Sequence, residues 1–351
     1  MMTENQPPQE QVPPPPPPQQ YQYPPPPWWV KQPRPSLFRR IARFFFVAVF
    51  ILSILMNIHL GMLLGGRMGR LSTRVVTSGD PKQQVAVFEI SGMIDDRLAE
   101  TFGLFYETVR DTDAIKAVVL RVDSGGGGIG ASDRIHGLVV KIKNDLNKPV
   151  VVTMGSAAAS GGYYVSAPAD SIFAEPATIT GSIGVIAMWP VINGLLDKIG
   201  VDVITMRSTD SQEWKARHFN AVEPPSEKVL ADITKILDSF QARFESIVRE
   251  GRGSRLNVNG EAPKGGQSPL NGQVFLADEA LKLGLIDKIG YAGDAYALAA
   301  QLANLSRPQV TRYSRQAGLR DLFASEASAG LNLKALDPMA SPRIMMLWRA
   351  Q

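Results

Sequence analysis

The 351-residue chain contains no cysteine. That excludes disulfides, a cysteine nucleophile and thiolate metal sites, and leaves the compartment open. Histidine is almost as scarce, with three residues. His59 lies in an apolar run, His136 on a predicted helix, and His218 after a strand end with no obvious partner. A Ser-His-Asp triad is therefore poorly supplied. A strong charge of one sign is also missing: 37 Lys and Arg against 33 Asp and Glu leave +4. The basic residues are scattered or sit beside the apolar run, so no stripe for nucleic acid forms.

What is present comes first as proline. Residues 1–36 are of low complexity, with unbroken runs at Pro13–Pro18 and Pro24–Pro27 closed by Trp28 and Trp29. Proline fixes φ and lacks an N–H, so this tail reads as extended or disordered, a spacer or an SH3-type ligand. Residues 37–70 read as a membrane anchor with basic flanks. Its core, Phe44–Leu64, has no charge over 21 residues. At about 1.5 Å per residue it matches the roughly 30 Å of a hydrocarbon core. Arg39, Arg40 and Arg43 precede it and Arg67, Arg70 and Arg74 follow. With Lys31 and Arg34, the excess before the span favours a cytoplasmic N-terminus. Gly65-Gly66-Arg67 offers no cleavage site, so the span reads as uncleaved.

From residue 80 the pattern becomes α/β. Gln84–Ile94 and Ala114–Val122 read as strands, the second a nearly continuous apolar run suited to a parallel sheet covered on both faces. Asp123-Ser124 and Gly125–Gly128 follow, then a helix over Ala131–Lys143 and a strand at Lys148–Thr153. This is βαβ order. The glycine run is no phosphate loop, since Gly-Lys-Ser/Thr does not follow, and no dinucleotide fingerprint. Its N–H groups suit an oxyanion. Further on, strands are expected at Ser171–Ala174, Thr180–Ile186 and Val201–Met206, with a helix at Val191–Ile199. A long amphipathic helix, capped by Ser226, should reach Glu250, with Leu230, Ile233, Ile236, Leu237, Phe240 and Phe244 on its apolar face. Residues 255–272 read as a loop, Phe275–Ile289 as helix then strand, and Ala292–Leu305 as a last helix. Residues 307–351 read as a C-terminal extension, apolar again at Ile344–Trp348.

The stretch Met154–Asp170 organises the rest. A buried strand runs into Gly155-Ser156-Ala157-Ala158-Ala159-Ser160-Gly161-Gly162, and bulk returns at Tyr163 and Tyr164. Tiny residues at a strand-to-helix bend let another chain approach, and the layout leaves the Ser160 hydroxyl uncovered beside fresh N–H groups. That is the position of a nucleophile at the carboxyl end of a strand. The other reading is a small-residue packing seam.

Taken in order, several pieces resemble one family. They are Arg121-Val122-Asp123-Ser124 with Gly126-Gly127; Ala158-Ala159-Ser160-Gly161-Gly162-Tyr163-Tyr164; and Thr180-Gly181-Ser182-Ile183-Gly184-Val185-Ile186. Arg207-Ser208 with Lys215, Gly251-Arg252-Gly253, and Ala280 through Gly284-Leu285-Ile286-Asp287 complete the set. Together they are similar to the short, membrane-anchored bacterial signal peptide peptidases of the Clp protease/crotonase superfamily. The resemblance covers about Gln84 to Leu305. It implies repeated ββα units over residues 80–306 and a serine/lysine endopeptidase that degrades remnant signal peptides and other peptides at the membrane. It implies an inner-membrane protein with an extracytoplasmic catalytic domain, no metal or cofactor, and a homo-oligomer whose sites are shared between subunits. Carried over residue by residue, Ser160 is the nucleophile, Lys215 the general base, and Ser182 the hydroxyl that positions the lysine. The N–H groups of Gly126, Gly127 and Gly161 would hold the oxyanion.

A lysine base must be uncharged to accept the serine proton, which desolvation favours; Trp214, beside Lys215, could supply an apolar wall. Two departures stand out. Gly125 replaces the family's usual proline, loosening the turn, and the stretch from Ser208 to Lys215 is longer than usual, leaving Lys198 as a rival base. Two other classes fit the pattern: an acyl-CoA-processing crotonase-like enzyme, opposed by the anchor and the missing acidic pair, and a membrane scaffold with a decayed site, opposed by the retained Ser160, Ser182 and Lys215.

Overall fold

The structure, a computed structural model, describes residues 37–65, 71–257, 268–315 and 343–347. The proline-rich tail, residues 66–70 of the expected anchor with Arg67 and Arg70, residues 258–267 of the expected loop, and residues 316–342 and 348–351 of the C-terminal extension lie outside the described residues. The chain divides into two units, Met1–Leu64 and Gly65–Gln351. In the first, Leu37–Gly65 is one helix, α1, of 29 residues. Its segment Leu37–His59, 23 residues, is long and apolar enough to cross a membrane by length and composition.

The second unit is an α/β sheet protein. Its elements are β1 (Leu71–Thr77), β2 (Asp80–Ile94), α2 (Asp96–Asp111), β3 (Ile115–Gly128), α3 (Ile129–Asn144), β4 (Val150–Ala159), α4 (Gly161–Ser166) and β5 (Ser171–Ala174). There follow β6 (Ile179–Gly181), β7 (Ile186–Met188), α5 (Asn193–Ile199), α6 (Glu227–Arg252), β8 (Val274–Leu276), α7 (Ala277–Lys282), β9 (Lys288–Ile289), α8 (Ala292–Leu302), β10 (Pro308–Arg315) and β11 (Arg343–Leu347). The sheet runs β1-β10-β2-β3-β4-β5-β9, parallel from β10 through β9.

The apolar runs follow from burial on both faces. Alternate residues of a strand point to opposite sides. Ala86, Phe88, Ile90, Val118, Leu120 and Val122 belong to the larger core. Val85, Val87, Ala117 and Val119 belong to a second core that includes Ala295, Ala299 and Ala300 of α8. Leu120 is fully buried, so Leu120→Ala should cost about 2–5 kcal/mol. Asp95 starts α2 by accepting a hydrogen bond from the Leu98 N–H at 2.8 Å. Phe102 and Phe105 of α2 then pack with Phe88 and Tyr313, ring centroids lying 4.9–5.7 Å apart.

Several elements differ from the sequence reading. Thr180–Ile186 is divided between β6 and β7. Val201–Met206 forms no strand: Val203, Ile204 and Met206 are exposed, and among the described residues the segment pairs with no strand. Leu230 faces outward, and α6 contributes chiefly Phe244, Ile247 and Val248 to the main core. Residues 308–315, beyond the expected domain, supply β10 between β1 and β2. Helix α2, for which the sequence reading has no counterpart, bridges β2 and β3.

Candidate active site

Ser160 stands at the corner between β4 and α4. Its backbone is at φ 54°, ψ −116°, a region that non-glycine residues enter only under strain. Surrounding bonds hold the corner. The Ser160 N–H donates to the Gly181 carbonyl at 2.8 Å, and the Tyr164 N–H to the Ser160 carbonyl at 2.9 Å. Thr178 and Thr180 hydroxyls donate to the Gly155 and Ala158 carbonyls, each at 2.6 Å. Asp123 Oδ1 accepts the Ala157 N–H at 3.2 Å. Such over-determined strain is typical of functional positions. The hydroxyl is not uncovered, as the sequence suggests: Ser160 is only 1% exposed, and its Oγ makes a long hydrogen bond of 3.4 Å to the Gly184 carbonyl.

The glycines cluster at this corner. The point where a Gly126 Cβ would lie is 2.7 Å from the Gly161 nitrogen. The corresponding point on Gly161 is 3.1 Å from Gly126 Cα and 3.1 Å from the Gly127 nitrogen. Any side chain at either position would push the two backbones apart. The Gly126 N–H is already committed, donating to Ser124 Oγ at 3.0 Å, and that hydroxyl donates onward to the Gly92 carbonyl. Ser124 thus pins the turn that Gly125 alone would leave loose. Sequence reasoning gave Ser124 no role, although its place between Asp123 and the glycines was visible. It also missed Ser132, whose fully buried hydroxyl has no partner among the described residues and abuts Gly161.

Ser182 reaches the same level from β6. Ala159 pairs with Gly181, so Ser160 and Ser182 leave adjacent strands side by side. Ser182 has φ 49° and is 8% exposed, its N–H bonded to the Gln273 carbonyl at 2.7 Å. Ser160, Gly161, Gly126, Gly127 and Ser182 are therefore brought together.

Lys215 is not. It is exposed, in a turn segment where its N–H donates to the Ser211 carbonyl and its own carbonyl accepts from Arg207 Nε at 2.6 Å. Among the described residues no hydrogen bond or ion pair joins it to Ser160 or Ser182. Trp214 serves other partners: it stacks on His218 with centroids 5.8 Å apart, and Lys228 Nζ lies 4.9 Å from a Trp214 ring centroid. His218, unpartnered in the sequence reading, meets Asp232 Oδ2 at 2.7 Å. Lys198 is exposed on α5.

Two further motif pieces prove to be scaffold. Arg252, its side chain fully buried, donates to Gly284 O at 2.9 Å and to both Asp287 oxygens at 3.0 and 2.7 Å. Burial alone would raise the Asp287 carboxyl; the bonds from Arg252, then the Ile172 N–H and Arg255, hold it below its ordinary value. Burial raises the Tyr163 phenol, whose hydroxyl donates to the Leu285 carbonyl at 2.8 Å. These bonds lock α4, α6 and the segment before β9 behind the Ser160 corner.

Comparison with known proteins places this corner inside a family match. Residues 142–306 match the model of Peptidase family S49. "Protease 4" of Haemophilus influenzae is 34% identical over 229 residues, 63% of this chain and 35% of that protein. "Putative signal peptide peptidase SppA" of Enterococcus faecium is 36% identical over 187 residues, 53% and 51% of the two chains. "Serine protease SPPA, chloroplastic" of Arabidopsis thaliana is 30% identical over 241 residues, 69% and 32%. The chain thus spans from about a third to a half of the length of these relatives. Among solved structures, the 1510-N membrane-bound stomatin-specific protease in complex with a substrate peptide is 16% identical, covers 70% of this chain and 98% of its own, and gives a TM-score of 0.40. Residues 142–306, which hold Ser160, Gly161, Ser182 and Lys215, are a Peptidase family S49 domain.

Proposed function

We propose that the chain is a membrane-anchored serine endopeptidase that cuts remnant signal peptides and other peptides at the membrane. The observation that carries this reading is the strained Ser160 corner set against Gly126, Gly127 and Gly161. Ser160 Oγ attacks a peptide carbonyl, and the serine proton passes to Lys215. The Gly161 and Gly127 N–H groups stabilise the oxyanion, an effect worth about 2.7–4 kcal/mol per donor. The proton then goes to the leaving amine, and water releases the acyl group.

Lys215 reaches Ser160 from a neighbouring subunit in this reading. What supports it is the exposure of Lys215 together with the apolar surface around it. Ile186, Met188, Val191, Leu195, Ile199, Val203, Ile204 and Met206 are all exposed, more apolar surface than a soluble monomer ordinarily leaves in one stretch of chain. Contact between copies would cover it and desolvate the lysine. In this reading α1 is the anchor of a single-pass inner-membrane protein with its catalytic unit outside the cytoplasm; the excess of basic residues before the span supports that orientation.

A serine-reactive phosphonate tests the reading. Labelling of the wild type that is lost in Ser160→Ala supports it, and equal labelling of both chains sinks it. Protease added to intact spheroplasts should digest the catalytic unit and spare the proline-rich tail; the opposite pattern inverts the topology.

A further inference from the structure

Strand β3 outruns β4. The two pair as far as Ser124 and Ala158, after which β4 turns away at Ser160 into α4. Near the end of β3, Gly126 and Gly127 keep β2 on one side, while the other edge opens beside the Ser160 corner. An open sheet edge is where an extended peptide adds as a further strand. Here the edge is filled by the chain itself. Met345, Met346 and Leu347 of β11 pair antiparallel with Gly128, Gly127 and Gly126. On its far side β11 pairs with β7, Arg343 opposite Met188 and Met345 opposite Ile186. Met345 and Met346 are 2% and 1% exposed, and Met346 joins the main core. The Met346 carbonyl oxygen is 2.0 Å from the point a Gly126 Cβ would occupy, the point that the Gly161 nitrogen also faces. A backbone carbonyl of β11 therefore lies among the glycines expected to receive a scissile carbonyl.

We propose that β11 is a built-in occupant of the peptide groove: the chain's own C-terminal strand holds the substrate's place, and an incoming peptide must displace it to reach Ser160. The proposal rests on the reading of Ser160 as nucleophile. Main-chain pairing on both edges recognises any extended segment, and two successive buried methionines show that the groove takes adjacent apolar side chains on both faces of the strand. Because β11 belongs to the same chain, its pairing with this edge is intramolecular, and a free peptide must compete with it.

The test compares the full chain, a chain ending at Pro342, and the full chain carrying Met345→Asp with Met346→Asp, in which two buried charges expel the strand without shortening the protein. Two readouts are taken: hydrogen exchange at the Gly127, Gly128 and Ile186–Met188 amides, and the rate at which phosphonate labels Ser160. Both should rise about tenfold or more in the altered chains. Adding a synthetic peptide of residues 339–351 to the shortened chain should slow both again. Unchanged exchange in both altered chains overturns the occupancy, and equal labelling rates with and without β11 overturn the block. If the amides deprotect while Ser160 labels in none of the chains, the nucleophile assignment fails and the strand's occupancy of the groove stands.

Discussion

The backbone carbonyl of Met346 passes through the space that a side chain on Gly126 would need, its oxygen 2.0 Å from the missing Cβ. Gly126 also has φ +105°, a conformation open to glycine and costly to L residues. Gly126→Ala should therefore exclude any strand from this edge and crowd the Gly161 nitrogen, 2.7 Å from the new carbon. Peptide hydrolysis should fall on the order of 10²-fold while the far-ultraviolet spectrum stays native. Near-normal turnover would show that peptides do not bind along β3.

Ser160→Ala and Lys215→Ala should each reduce cleavage to background in a folded protein. Mixing the two inactive chains should restore part of the activity, because some subunit contacts regain both groups. If no activity returns while wild-type subunits demonstrably exchange, a site shared between subunits is refuted. Activity retained in Lys215→Ala moves the base elsewhere, and Lys198→Ala is then the next variant.

The Arg252–Asp287 pair predicts a stability effect without a catalytic one. Asp287→Asn leaves a fully buried guanidinium without its counter-charge, which should cost about 3–5 kcal/mol at neutral pH. The pH dependence follows from the lowered carboxyl. A depressed folded-state pKa contributes stability that is present above the ordinary value of 3.8 and is lost as pH falls through the folded value. Thermal melts of wild type and variant should therefore differ most at neutral pH and converge below pH 3.8. A constant gap down to strongly acid pH would contradict the pairing.

Ser124→Ala removes the hydroxyl that joins the Gly92 carbonyl to the Gly126 N–H. With Gly125 beside it, the turn then has no side chain to fix it. Activity should drop by more than the loss of about 1 kcal/mol in stability expected for one hydrogen bond would explain. A loss confined to stability would make Ser124 purely structural.

The strands Gln84–Ile94 and Ala114–Val122 and the cap at Ser226 announced themselves because apolar periodicity and capping are local signals. The bend at Ser160 was legible from its run of tiny residues, which have no role in an ordinary strand or helix. The same locality explains the failure at Val201–Met206, whose apolar residues are largely exposed and meet no partner strand among the described residues.

Tertiary structure alone decided the rest. That Arg252 belongs with Asp287 depends on two segments meeting across the fold, and no spacing rule encodes it. That β10 lies between β1 and β2, and that β11 closes over the Gly126–Gly128 edge, are choices of sheet partner made far apart in the chain. A strand's own residues determine its conformation and its two faces; which edge it joins is settled by the backbone groups left unpaired elsewhere. The sequence by itself therefore determined that Ser160 sits on a tight strand-to-helix corner among glycines. Only the assembled sheet decided that this corner is buried and strained, and that the glycine edge next to it is paired with β11.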